Sequence, residues 1–333
     1  MKAERHFGKF AAFISFFPQL VAGPIERTGD LLPQIKEEQK FNYDNASMGL
    51  RLILWGLFKK MVLADNLAIW VDRVFDNVYS YHGFSLILAT FAFSIQIYCD
   101  FSGYSDIARG VAKLMGINLV KNFKSPYLAT SINDFWKRWH ISLTNWFRDY
   151  VYIPLGGNRV GKIRKNVNIL ITFLVSGLWH GAAGHFVVWG GVHGGYRIVE
   201  DKVAGKRSNK FISNVIRGII VFFLVSIAWC FFRTGIRESL YVLSDMWAGI
   251  NHPINYFCDG LVQMNIGRVE LIRNFLLIGL LFLYDAIDKN NDAMLLLSRC
   301  NIVVRWAVYY AIIGCILLWG LNASSTEFIY FQF

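Results

Sequence analysis

The 333-residue sequence is 55% hydrophobic and 16% aromatic, and only 17% of its residues are charged, against about 25% in an ordinary soluble domain. Its formal net charge of +11 would suit a nucleic-acid partner, but such binding needs a basic face on a folded domain. Here the cations sit in short segments between apolar runs, as in NRVGKIRKN (158–166) and EDKVAGKRSNK (200–210), so composition excludes a soluble nucleic-acid binder and predicts an all-α, polytopic transmembrane protein with roughly seven to nine embedded segments.

The chain opens with MKAERHFGKFAAFISFFPQLVAGP (1–24), basic residues followed by a short apolar run. This imitates a secretion signal, but the run continues to Pro24 without a clear cleavage site, so it is expected to remain in the folded protein. Residues 26–47 are polar and predict a loop with a short helix. Residues 48–75 have helical spacing but carry Arg51, Lys59, Lys60 and Asp65. A long amphipathic helix at the membrane interface, its cations snorkelling, fits that pattern.

The uncharged run Asn77–Cys99 predicts a span, and CDFSGYSDIARGVAKLMG (99–116) follows it. Asp106 and Arg109, three apart, are neighbours on a helix face. Asp100 borders the apolar run. Such groups either pair inside the bundle as functional residues or mark a helix end at the interface. Next comes SINDFWKRWHISLTNWFRDYVYIPLGGNR (131–159), too polar to span; aromatic and basic residues together mark the headgroup level. At about 100° per residue, Asp134 and Arg138 share a helical face, and His140 lies about 200° from Arg138 with Trp136, Thr144 and Phe147. A lone histidine on such a face needs only a hydrogen-bond partner and reads as structural.

Asn166–Tyr196 is the longest uncharged run and holds seven glycines, at 177, 181, 184, 190, 191, 194 and 195. As one helix it would be about 46 Å long, well beyond a hydrocarbon core of about 30 Å. A break near GLWHGAAG (177–184) is therefore predicted, giving re-entrant or broken helices. Irregular backbone at that depth is tolerated only beside protein or a water-filled cavity, which puts His180 at a cavity. Both flanking loops are basic, so the chain returns to one side, the cytoplasmic one by the positive-inside rule. His185, Trp189 and His193 turn only about 40° per step and are expected to line the same cavity. Gly218–Phe232 and Trp306–Thr326 supply further uncharged runs. No internal repeat is evident. Cys99, Cys230, Cys258, Cys300 and Cys315 show no CxxC or zinc spacing and read as small hydrophobes.

Three chemistries compete for the histidines. A metal site lacks ligands: His185 and His193 are two turns apart, and there is no HExxH or nearby acid, so no metal is expected. A nucleophile elbow of the GxSxG type is absent. General-base work by a neutral imidazole remains open, since histidine titrates near pH 6.5 and can take a proton from a hydroxyl.

Taken together, FFPQLVAGPIER (16–27), IYCDFSGYSDIARG (97–110), DFWKRWHISLTNWFRDYVYIPLGGNR (134–159), SGLWHGA (176–182), WGGVHG (189–194) and FIYFQF (328–333) resemble the bacterial membrane-bound O-acyltransferases, the alginate O-acetylase branch above all. The resemblance implies one domain over 1–333, a ring of tilted helices around a central catalytic cavity, with a funnel from each side. It also implies further hydrophobic helices ahead of the FFPQLVAGP block, at which this sequence almost begins. The essential histidine of the WHG block maps onto His180, and a second active-site histidine onto His140, above the structural reading given to it from spacing. Trp179, Asp134, Arg138 and His193 become supporting residues of the site or its channel.

No bound cofactor is implied; the donor would be acetyl-CoA or another acyl thioester in the cytoplasm. The acceptor would be an exported polysaccharide, or an extracytoplasmic partner protein that completes transfer, and the location the bacterial inner membrane. D-alanyl transfer to teichoic acid from a carrier-protein thioester is the nearest alternative. A polysaccharide exporter is the alternative of another class, because broken helices with midplane polar groups also mark transporters.

Overall fold

Small residues set the central helix contact. Gly49 and Gly56 on one helix face Gly110 and Gly103 on its antiparallel neighbour, and a Cβ at any of the four would stand 2.6–2.9 Å from a carbonyl oxygen across the contact. Helices that meet at backbone distance gain close packing where lipid offers no hydrophobic drive. The computed structural model describes residues 4–203, 211–320 and 328–329, and these contain helices and no β-strand.

In chain order the helices are α1 (Phe7–Ile14), α2 (Phe17–Leu20), α3 (Thr28–Lys36), α4 (Tyr43–Leu57), α5 (Asp65–Phe75), α6 (Phe84–Leu114), α7 (Ile132–Trp136), α8 (Ile141–Phe147), α9 (Lys162–His180), α10 (Gly184–Val203), α11 (Phe211–Arg233), α12 (Ile236–Asp245), α13 (Pro253–Gln263), α14 (Arg268–Asn290), α15 (Ala293–Arg299) and α16 (Ile302–Cys315). A π-helical stretch, Phe58–Ala64, joins α4 to α5, and others follow α8 (Arg148–Tyr152) and α16 (Ile316–Gly320). Three helices among the described residues are long and apolar enough to cross a membrane: α6, α11 and the run Ile302–Gly320. The remaining apolar stretches sit in shorter or more polar helices, so the span count read from uncharged runs exceeds this number.

Helix α6 is the axis of the core. Its residues are buried along most of the helix, from Leu86 to Ala112, and α4, α5 and α11 pack around it. Ser94 Oγ meets Ser226 Oγ of α11 at 2.9 Å, and Thr90 Oγ1 lies 3.6 Å from Cys230 Sγ, so α11 also runs antiparallel to α6. The start of α4, the end of α6 and the start of α11 therefore gather at one end of the bundle. The start of α9, with its basic NRVGKIRKN segment, joins them there, because His185 near the start of α10 reaches the Phe231 carbonyl at the far end of α11 at 2.9 Å.

The run 48–75 is not interfacial. Lys59 is 3% exposed and donates to Asp106 at 2.7 Å and Ser102 at 2.9 Å. Lys60 pairs with Asp100 at 2.7 Å and Asp65 at 2.9 Å. Each of these two lysines has a carboxylate within the helix contacts, and a paired, hydrogen-bonded charge need not reach for water. Asp106 also holds Arg109 at 3.2 Å, the pair expected from their spacing.

The break in Asn166–Tyr196 falls where glycine predicts it. Helix α9 ends at His180 and α10 begins at Gly184, forming an antiparallel hairpin closed by reciprocal glycines. A Cβ on Gly177 would lie 2.2 Å from the Phe186 carbonyl oxygen, and one on Gly190 2.2 Å from that of Phe173. The segment 131–159, by contrast, is not one helix. It breaks between α7 and α8, so the wheel that set His140 opposite Arg138 does not apply across Lys137–His140. Near the other end of α8, Arg148 and Arg27 flank Asp149 and hold its carboxyl down at about 2; the Arg27 pair ties the FFPQLVAGPIER segment to this element.

Overpacking a full core costs about 1–3 kcal/mol, and backbone oxygen cannot step aside as a side chain does. Gly177→Ala and Gly190→Ala should each strongly reduce the monodisperse fraction in detergent and lower its melting temperature. Gly195→Ala should do neither, because its Cβ would meet nothing within 4 Å. Equal behaviour of all three variants on size exclusion and thermal melting would refute backbone contact in the hairpin.

Candidate active site

The tip of the α9–α10 hairpin presents two adjacent rings. Trp179 is 51% exposed, and His180, half-buried, packs its ring on Trp189 at 5.1 Å and Phe232 at 5.2 Å. The aromatic floor restrains the imidazole while its outer side stays accessible. Trp179 stands between two histidines, its ring centroid 4.9 Å from that of His180 and 6.4 Å from that of His140.

His140 reaches this position through an unusual backbone. It caps α8 with φ 41° and ψ 56°, a left-handed conformation that costs a non-glycine residue about 1–3 kcal/mol. Asn122, fully buried, overrides that cost. Its carbonyl accepts the Ile141 N–H at 2.9 Å, and its side-chain oxygen accepts Ser142 Oγ at 2.6 Å. The Ser142 hydroxyl in turn accepts the Ile25 N–H at 3.1 Å. The result is a histidine 4% exposed, edge-on to Phe101 at 4.7 Å.

Two further devices hold the segment before His140. Arg138 Nε donates to Asp134 at 2.8 Å and its guanidinium to the Lys124 carbonyl at 3.3 Å, while Lys124 N–H returns to the Arg138 carbonyl at 3.0 Å. Glu200, on α10, accepts the N–H groups of Ile132 at 2.7 Å and Asn133 at 3.0 Å. A carboxylate at a helix N-terminus satisfies donors that have no partner within the helix. Phe101 is backed by Phe328 at 6.1 Å, and Asp100 accepts the Ile329 N–H at 2.8 Å. The FIYFQF block thus packs behind His140 as far as it is described; residues 330–333 lie outside the described residues.

A cavity of about 340 Å³ lies beside α9 between the α7–α8 segment and the hairpin. Trp136, Phe147, Phe173 and Ser176 are among its lining, and Lys137, Arg148, Lys165 and Arg197 also border it. Ser176 stands one helical turn before His180 on α9. Lys165 and Arg197 are engaged by Asp201 and Arg148 by Asp149; Lys137 forms no ion pair among the described residues.

None of His140, His180, His185, Trp189 and His193 lines this cavity; its nearest approach to His180 along α9 is Ser176. His193 is the most deeply buried of the histidines. It is fully buried, neither ring nitrogen has a hydrogen-bond partner, and its ring packs on Trp136 at 5.0 Å and Trp189 at 5.1 Å. His185 and Trp189 likewise face neighbouring helices. Among the described residues, no group of three His, Cys, Asp or Glu is placed to hold a metal ion. A second cavity, of about 330 Å³, is bordered by Lys59, Asp106, Lys121, Asp285 and Asp288. Lys59 pairs there with Asp106 at 2.7 Å and Lys121 with Asp288 at 2.5 Å, while Tyr98 donates to Asp285 at 3.0 Å.

Asn122, Glu200 and the Lys60–Asp100 pair were not singled out as site supports from sequence. Asp100 carried a signal, as an acid beside an apolar run. Asn122 and Glu200 carried none, since their partners lie 20 and 68 residues away.

Comparison with known proteins adds a family to this geometry. Residues 4–243 match the model of the membrane-bound O-acyltransferase family. The chain is 41% identical over 252 residues to a peptidoglycan O-acetyltransferase of Helicobacter pylori, covering 74% of this chain and 47% of that protein. It is 34% identical over 347 residues to a probable alginate O-acetylase of Pseudomonas putida, covering 99% of this chain and 70% of that protein. A teichoic acid D-alanyltransferase of Bacillus subtilis is 30% identical over 207 residues, 58% of this chain and 51% of that protein. The chain spans about half the length of most of the curated relatives it matches.

The left-handed backbone of residue 140 gives a test of its own. Removing the ring by His140→Ala keeps the backbone strain, whereas His140→Gly relieves it, a difference of about 1–2 kcal/mol. The glycine variant should melt several degrees above the alanine variant in detergent. The reverse order would mean that residue 140 is not left-handed in the folded protein.

Proposed function

The chain belongs to the membrane-bound O-acyltransferase family, and on that premise we propose that it transfers an acyl group, acetyl in the first instance, from a cytoplasmic thioester donor to hydroxyls of an exported polysaccharide. The observation that carries this reading is the pair of histidines flanking Trp179, with a cavity whose lining comes within one turn of His180. Lys137, the cation of that cavity without an ion pair among the described residues, suits a donor with phosphate groups, and the apolar lining of Trp136, Phe147 and Phe173 suits a thioester arm.

In the reaction, His180 takes the proton of the acceptor hydroxyl as general base. The alkoxide oxygen attacks the thioester carbonyl carbon, and a new C–O bond forms as the carbonyl electrons move onto oxygen. Collapse of that tetrahedral species breaks the C–S bond. The leaving thiolate recovers the proton from the His180 imidazolium, so the base is regenerated and no acyl-enzyme is needed. His140, across Trp179, acts as the hydrogen-bond donor that either orients the thioester or supports the oxyanion. Asp134, Arg138 and Glu200 keep the His140 segment in register, and His193 stiffens the aromatic floor under His180.

A bacterial cytoplasmic membrane is the setting that fits this reading, with donor and acceptor on opposite sides and the reaction itself carrying the acyl group across. D-alanyl transfer from a carrier-protein thioester is the second reading, favoured by the likeness to the Bacillus subtilis teichoic acid D-alanyltransferase.

His180→Ala should abolish acylation of the surface glycan while leaving membrane protein level unchanged, and mass spectrometry of the glycan measures it. Wild-type acyl content in that strain would overturn the assignment of His180. Lys137→Ala should raise the apparent KM for the donor several-fold with kcat little changed, because it removes ground-state attraction alone. The mass of the group lost in the His180 variant separates acetyl from D-alanyl transfer.

A further inference from the structure

Several buried or half-buried cations of this bundle have a carboxylate partner, as the pairs of Lys59, Lys60, Arg109 and Lys121 illustrate, whereas others meet only carbonyl, amide or hydroxyl groups. Two of the latter, Arg51 on α4 and Arg305 on α16, share a groove. Neither has a carboxylate within 4 Å among the described residues, and both line one groove of about 1130 Å³ between α4 and the α15–α16 segment. Arg51 Nε donates to Tyr309 Oη at 2.7 Å. Arg305 stands four residues before Tyr309, one turn or about 6 Å along α16, where its guanidinium meets the Ser298 carbonyl at 3.2 Å.

The groove is graded along α4 and α16. Its outer part, at the end of the bundle that carries the basic loop, has Tyr43, Asp44 and Ser47; its inner part has Leu54 and Ile313. The two arginines and the Tyr309 hydroxyl lie between. Asp44 is the one carboxylate in the lining, against two guanidiniums. Trp306, 48% exposed, stands beside Arg305, and tryptophan and tyrosine favour the headgroup level. Arginine binds phosphate oxygens through charge-assisted hydrogen bonds, and basic pockets between membrane helices hold lipid headgroups.

We propose that this groove is a binding site for an anionic phospholipid, its phosphate held between Arg51 and Arg305 and its acyl chains lying along Leu54 and Ile313. The site is separate from the histidine pair and does not depend on the acyl-transfer reading. Bound there, the lipid bridges α4 to α16, which otherwise meet through few side chains, and so couples the stability of the α16 side of the bundle to the charge of the surrounding bilayer.

The test uses the whole chain reconstituted in phosphatidylcholine vesicles with and without phosphatidylglycerol, extracted in mild detergent and examined by native mass spectrometry. The wild type should retain phosphatidylglycerol in clear preference to phosphatidylcholine, and Arg51→Gln/Arg305→Gln should lose roughly tenfold of that retention, the order expected when two charge-assisted contacts go. Arg159→Gln/Arg164→Gln, which removes the same charge from the basic loop, should keep it. Equal retention of neutral and anionic lipid by the wild type would overturn the site whether or not the double variant folds. So would an equal loss in both double variants, which would reduce the effect to net charge.

Discussion

At Gly177 and Gly190 the hairpin of α9 and α10 is closed so tightly that a single methyl group on either would collide with a main-chain oxygen at 2.2 Å. That contact is what lets the longest uncharged run of the chain turn back on itself inside the bundle and still expose a ring at its tip. A looser hairpin would leave the backbone of residues 181–183 without the packing that irregular structure requires in an apolar medium. His180 would then sit on a mobile loop instead of the last turn of a helix whose partner is in van der Waals contact. The same device, glycine against glycine across α4 and α6, fixes the axis around which the remaining helices assemble.

The second constraint is electrostatic. The bundle contains lysines and aspartates at depths where neither would be stable alone, and it solves this by pairing across helices. Lys59 with Asp106, and Lys60 with Asp65 and Asp100, lock the π-helical turn of the α4–α5 run to α6. Removing one partner of such a pair is far more damaging than replacing both, because the survivor is left uncompensated. Asp100 also accepts a main-chain N–H from Ile329, so the lock extends to the wall behind His140.

Much of this was legible in the sequence, and the divide follows contact distance along the chain. The break at GLWHGAAG could be read because length, glycine content and lack of charge all act locally. The Asp106–Arg109 and Asp134–Arg138 pairs could be read because three- and four-residue spacing fixes neighbours on a helix. The run 48–75 reads as interfacial because charge within a helix signals exposure, whereas the partners of Lys59 lie some forty residues away on α6. His140 was placed by a helical wheel that the backbone does not follow, since the cause of its left-handed turn is Asn122, in a different loop. Periodicity finds the face that His193 shares with His185 and Trp189 but not what covers it; Trp136 covers it.

The hydrogen bond between Ile329 and Asp100 joins residues 229 positions apart, and this has a consequence in time. At translation rates of about 5–20 residues per second, roughly 11 to 46 seconds separate the synthesis of Asp100 from that of its partner. His180 follows Asp100 by 80 residues, about 4–16 seconds, and for the rest of that interval the segments carrying His140 and His180 have been made while Phe101, which touches the His140 ring, has no Phe328 behind it. The wall behind His140 is thus completed late: the two histidines come first, and the support behind one of them arrives only when residues 328–329 have left the ribosome.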